Sequence, residues 1–174
     1  MRGRAGVPPL DPSTVRRLGA ALVRALPRVS GEHRLLVGRD TRESGEWIGR
    51  ELAFGARTAG CQVTSGGVIS TPAIAYLTRE GQYDAGVVIS ASHNPFEDNG
   101  IKVFSGAGEK FTERIEREIE REVADRSWTV PDGEAPPILD EDLAGPYLAP
   151  ARSALPGARD LGALRVAVDC ANGA

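Results

Sequence analysis

Ser90-Ala91-Ser92-His93-Asn94-Pro95 follows directly on the apolar run Val87-Val88-Ile89. A continuous apolar run of this kind reads as a central strand buried on both faces. In open α/β sheets, ligands gather at the carboxyl ends of such strands. Asn94-Pro95 breaks the strand and favours a turn, whose backbone N–H groups can form an anion nest. Lys102 stands ten residues after Ser92 and brings a positive charge to the returning segment. A hydroxyl, an imidazole, amides and an ammonium converging in one place suit phosphoryl chemistry. On its own residues the segment is also readable as a plain β-turn, with Ser and Asn bonding locally. A serine-hydrolase reading is weaker: no Gly-x-Ser-x-Gly elbow surrounds Ser92. Neighbours on an extended segment also point apart, so His93 would be badly placed as the base for Ser92.

The elements that must position this loop follow from hydrophobic spacing. Asp11-Pro12 predicts a helix start, with Val15, Leu18, Leu22, Ala25 and Leu26 forming one apolar stripe. A short strand is expected at 34–38, followed by the polar loop 39–45. A second helix then turns Trp47, Ile48, Leu52, Ala56 and Ala59 inward and stops at Gly60. The segment from Cys61 reads as a strand and turn, and Thr71-Pro72 to Gly81 as a short capped helix. After the strand 85–90 and the loop, a strand is expected at 101–104. Phe111, Ile115, Ile119 and Val123 then mark an amphipathic helix. Its outer face, ERIEREIERE, reads as solvated i,i+4 ion pairs and not as a binding site. Strands alternating with helices predict an α/β architecture whose sheet is covered on both faces.

Composition shifts after Arg126 into the Pro-rich, acidic SWTVPDGEAPPILDED, which reads as a surface connection. A short helix is expected over Tyr147 to Leu155, limited by Pro146 and Pro150. ALRVAVDC then predicts a new buried strand beginning a second unit. The expected organisation is 1–126 as the first domain, 127–158 as a connection and 159–174 as the start of a truncated second domain. The 174 residues are 41% hydrophobic and 26% charged, a globular composition. Net charge is −3 and no basic face gathers, so nucleic acid is not an expected partner. No apolar run reaches the roughly 18 residues of a membrane span. The first residues lack the apolar core of a signal peptide, so a cytoplasmic protein is expected. Cys61 and Cys170, both in apolar strand-like runs, are expected to be reduced core thiols.

Four segments taken together resemble the α-D-phosphohexomutase family. SASHNPFEDNGIKVF resembles its active-site loop, LLVGRDTRESG its Gly-Arg-Asp-x-Arg-x-Ser-Gly segment, VISTPAIAYLT its Thr-Pro helix start and VAVDCANGA the opening of its second domain. They occur in family order, and one is fifteen residues long. Within the family, ISTPAIAYLT together with SASHNPFEDNGIK looks most like the branch acting on glucosamine phosphates, with the branches acting on mannose or glucose phosphates as the alternative. The resemblance implies a three-layer α/β/α sandwich with a mixed sheet, the first of four domains, here without its first strand. It also implies that Ser92 carries a phosphoryl group, passes it to a sugar monophosphate to give a bisphosphate, and recovers the other one. Mg2+ is implied on a phosphoserine oxygen of Ser92, and a homodimer for a full-length enzyme. His93 would stand near the transferring group, and Lys102 would act as general acid/base or phosphate clamp. Arg2 would be the arginine of the family's Gly-Ile-Arg-Gly. Arg39 and Asp40 would form a supporting shell, or only a surface salt bridge. The aspartate-rich metal loop and the sugar-selecting and distal phosphate-binding loops would lie beyond Ala174. A stand-alone phosphate-binding module is the alternative of a different class.

Overall fold

The computed structural model describes residues 1–27, 31–154, 165–170 and 173. Among them, five strands form one sheet: β1 (Arg2–Arg4), β2 (His33–Arg39), β3 (Cys61–Val68), β4 (Ala85–Ile89) and β5 (Asp98–Ser105). Their order is β1-β5-β4-β2-β3. β2 runs parallel to both β3 and β4, whereas β5 is antiparallel to β4 and β1. The sheet is therefore mixed, and the antiparallel return comes immediately after the serine loop.

Period-two alternation sends successive strand residues to opposite layers. Leu35, Val37, Val87 and Ile89 pack into one core with α1 (Pro12–Ala25), α2 (Ser44–Thr58) and α4 (Glu113–Ala124). Leu36, Val88 and Phe104 pack into the other with Ile74 and Leu77 of α3 (Thr71–Glu80). Tyr147 of α5 (Ala144–Ser153) joins that second layer, its ring edge-on to Tyr76. The result is a three-layer α/β/α sandwich. β4 is buried at all five positions, as a strand covered on both faces must be.

Local chemistry sets the helix ends. Asp11 caps α1, accepting from the Thr14 backbone N–H at 3.1 Å and from the Ser13 and Thr14 hydroxyls at 2.6 Å. Its carboxyl lies below the usual range: burial pushes it up, and these hydrogen bonds outweigh that. Past the end of α2, Gly60 takes a left-handed φ of 81°, which glycine adopts without a Cβ penalty. α1 and α2 approach through a reciprocal glycine contact. A Cβ on Gly19 would collide with the Leu52 carbonyl, and one on Gly55 with the Arg16 carbonyl.

Four expectations need correction. A first strand is present, although only three residues long: Arg2–Arg4 pair with Asp98–Gly100 at the edge of the sheet. Arg165–Cys170 do not form a buried strand; they are exposed and pair with no strand among the described residues. Val166 is 65% and Val168 75% exposed, so the alternating valines have no second layer to enter. Cys170 is accordingly an exposed thiol and not a core one, whereas Cys61 is buried; both are free. The last helix starts earlier than expected and runs through Pro150 as far as Ser153, while Leu155 lies outside the described residues.

The acidic connection is not loose where it passes β3. Asp140 forms a parallel bridge with Ser65, and its Oδ1 accepts the Ser65 hydroxyl at 2.6 Å. The Glu141 N–H donates to the Ser65 carbonyl at 2.7 Å.

Candidate active site

Three loops leave the carboxyl ends of the parallel strands β2, β3 and β4, and they enclose a cleft of about 1140 Å³. Asp40 to Ser44 and the start of α2 form one wall, and Ile69 to Pro72 with the start of α3 form another. The third wall is the serine loop, with Ser90, Ser92, His93 and Asn94 facing the space. The α3 end presents Ser70, whose hydroxyl makes no capping bond to the helix, so backbone N–H groups of the first turn stay open. That end of the helix also carries the positive pole of its dipole.

The shape of the serine loop follows from its sequence. The Ser90 N–H still bonds across to the Gly100 carbonyl, at 2.8 Å, and keeps the strand pairing. Two residues later the chain reverses, with Ser92 at φ 59°. A non-glycine residue in this left-handed region costs about 1–3 kcal/mol and persists only where its surroundings enforce it. The Ser92 N–H donates to the Ser90 hydroxyl at 3.0 Å. The Asn94 N–H reaches the Ala91 carbonyl at 3.2 Å, and the Asp98 N–H reaches the Pro95 carbonyl at 3.1 Å. The Asn94 side-chain amide donates to Asp98 Oδ2 at 3.0 Å, tying the two ends of the turn together.

The cleft brings together Ser92, His93, Lys102 and Asp40. Ser92 and His93 are exposed, and Lys102 is half-buried beside Val88, its partner in β4. The Ser92 hydroxyl, the His93 ring and the Lys102 ammonium bond to no other group among the described residues. Two arginines fall elsewhere. Arg2 is exposed on β1 and outside the cleft, whereas Arg4 lines it. Both share one side of the strand, but Arg4 pairs with Asp98 and so stands nearer the serine loop. Arg39 turns away toward a smaller cavity of about 110 Å³ and donates to Asp140 Oδ2 at 3.0 Å. Asp40 does not contact Arg39; its carboxylate holds Arg42, with Oδ2 3.1 Å from Nε and Oδ1 3.1 Å from the Arg42 N–H.

Arg42 is the residue that sequence reasoning missed. Its guanidinium donates to the carbonyls of Ser92, Asn94, Pro95 and Asp98 at 2.5–3.0 Å. The one available signal was its spacing in Asp40-x-Arg42, which lets the aspartate turn back on the next residue but one.

A cleft holding a projecting hydroxyl, two uncommitted cationic side chains (Lys102 and Arg4) and an open helix N-terminus can accept phosphate groups. Comparison with known proteins agrees with that chemistry. Residues 1–129 match the phosphoglucomutase/phosphomannomutase α/β/α domain I. The chain is 47% identical to a phosphoglucosamine mutase of Koribacter versatilis and 43% identical to one of Chromohalobacter salexigens. All of this chain aligns in both cases, against 39% of each relative, so it spans about two-fifths of their length. Among solved structures, a putative phosphomannomutase from Thermus thermophilus superposes with a TM-score of 0.72 at 26% identity, over 89% of this chain and 34% of that one. A phosphoglucomutase/phosphomannomutase family protein from Burkholderia thailandensis gives 0.67 at 28% identity, over 85% of this chain and 33% of its own. With the family match covering the sheet, its helices and the serine loop, the chain belongs to the phosphoglucomutase/phosphomannomutase family and carries its α/β/α domain I.

Proposed function

We propose that this chain is the phosphoserine-bearing part of a cytoplasmic phosphoglucosamine mutase, interconverting glucosamine 6-phosphate and glucosamine 1-phosphate. The observation that carries the reading is Ser92, exposed at the cleft in a left-handed conformation and flanked by unpaired cationic groups. The names of the relatives at 43–47% identity support the choice of sugar. In the forward step, the phosphorus–oxygen bond to Ser92 breaks and a new one forms to the free sugar hydroxyl, whose proton leaves to a base. The serine keeps its oxygen and recovers a proton. The resulting 1,6-bisphosphate turns over, and the same step runs backwards from its other end. A phosphoserine is a donor that needs positioning and charge neutralisation more than nucleophilic activation.

In this reading Lys102 neutralises charge on the moving group from the cleft floor, and His93 exchanges the hydroxyl proton. Arg4, not Arg2, supplies the N-terminal guanidinium. The described residues contain no group of three or more His, Cys, Asp or Glu able to hold a metal. What fits Mg2+ is one hard oxygen ligand, a phosphoryl oxygen on Ser92. When bound, the ion would withdraw charge from the phosphoryl group. Residues 159–174 are read as the opening of the next domain.

Intact-mass measurement and peptide mapping of the full-length gene product test the reading. Phosphate is expected on Ser92, and Ser92→Ala should abolish turnover of glucosamine 6-phosphate while shifting stability by no more than about 0.5 kcal/mol. Phosphate on Ser90, or full activity of Ser92→Ala, overturns it. Mannose 6-phosphate and glucose 6-phosphate belong in the same assay, because one structural neighbour is named a putative phosphomannomutase.

A further inference from the structure

An arginine within reach of a phosphoserine loop invites the role of phosphate ligand. Donor accounting at Arg42 excludes it. A guanidinium has five N–H donors, one on Nε and two on each terminal nitrogen. Here Nε donates to Asp40 Oδ2 at 3.1 Å, Nη1 to the carbonyls of Pro95 and Asp98, and Nη2 to those of Ser92 and Asn94 at 3.0 and 2.9 Å. All five are taken by the protein, and the Asp40 carboxylate offsets the charge. The side chain is only 10% exposed.

The four carbonyls belong to a single loop, and each aims inward at one planar group. That geometry gathers the Ser92, Asn94, Pro95 and Asp98 carbonyls on one planar group, while the Ser92 side chain stays exposed at the cleft. The strained φ of Ser92 therefore has a specific support, since its own carbonyl is one of the four. Asp40 is in turn fixed by the sheet: its N–H donates at 3.0 Å to the carbonyl of Ile89, the last residue of β4.

We propose that Arg42 is a positioning residue which, oriented by Asp40, holds the Ser92 loop in its phosphoryl-presenting conformation and does not itself bind phosphate. The proposal rests on the function given above for Ser92. Lysine cannot replace arginine in this role, because it has no planar fork to gather four carbonyls.

The test compares wild type, Arg42→Ala and Arg42→Lys. Hydrogen exchange on this 174-residue chain reads the loop directly. Both variants should raise exchange of the hydrogen-bonded Ser92, Asn94 and Asp98 amides by at least about tenfold, while β2 and β4 stay protected. If Arg42→Ala does not fold, Arg42→Lys is read alone. In the full-length enzyme both variants should lower kcat by about 100-fold, the scale of a misplaced reacting group, with KM for glucosamine 6-phosphate within about threefold. Unchanged loop exchange overturns the proposal. So does a raised KM at constant kcat, or recovery of wild-type kcat by lysine, since either would mark a charge acting on phosphate. Absence of turnover in the wild type would instead refute the proposed function, and the exchange result would still decide the role of Arg42.

Discussion

Ser90 and Ser92 carry the same hydroxyl two residues apart, yet only one is available for chemistry. Ser90 is 8% exposed and its oxygen accepts the Ser92 N–H, so it shapes the turn. Ser92 faces outward with its hydroxyl uncommitted. A similar contrast separates the two thiols. Cys61 sits at the amino end of β3, away from the cleft, and its pKa is pushed up to about 12, first by burial and then by Asp84 and Glu32. Cys170 is exposed. At pH 8 a thiol-directed reagent should therefore add once to the native protein and twice after denaturation, as read by intact mass, because the thiolate is the reactive form. Two adducts on the native chain would contradict the burial of Cys61. The linkage has a definite sign: the folded pKa lies above the ordinary thiol value of 9.0, so the contribution of Cys61 is fully present below pH 9 and lost as pH rises from there toward 12.

Elements with a strong apolar period were legible before the fold was known. The stripe of Ile48, Leu52 and Ala56 is fully buried, and the Asp11-Pro12 start of α1 caps as its residue types require. What escaped notice depends on residues with no period. Arg42 reads as one more loop arginine, because its meaning lies in carbonyls fifty or more positions away. β1 is too short to carry a pattern, and the valines at 166 and 168 alternate as strand residues do while no neighbouring strand pairs with them. The close approach of α1 and α2 at Gly19 and Gly55 was equally hidden, since neither glycine occupies a turn. It carries a prediction at this scale. Gly55→Ala would force α1 from α2 and should destabilise the fold by about 1–3 kcal/mol, as overpacking does. Urea unfolding would measure it, and a stabilised variant, the usual result for alanine in an open helix, would mean that the helices do not touch there.

On the scale of the whole molecule, the chain holds the serine loop and a cleft lined by Lys102 and Arg4 but aligns with only 39% of the length of its relatives. We expect this 174-residue chain to have no mutase turnover alone, even with Mg2+ and a sugar bisphosphate. Complete positioning of two reactants is worth roughly 7–11 kcal/mol, more than the few groups lining this cleft could recover. The assay is conversion of glucosamine 6-phosphate beside the full-length gene product. Turnover within about tenfold of that reference, or roughly 1.4 kcal/mol, would place the catalysis inside these residues.

The Asp140 contact has an effect on how copies of this molecule behave toward one another. β3 is the outermost strand on its side of the sheet, and a free outer strand offers unpaired N–H and C=O groups as a template for a neighbouring chain. Where Asp140 and Glu141 lie along it, the Ser65 carbonyl and hydroxyl are already occupied. Asp140 also draws in Arg39, and so places charge at the rim. At Ser65, therefore, the outer edge of β3 is closed to a neighbouring strand, a colloidal consequence unconnected with sugar or phosphate.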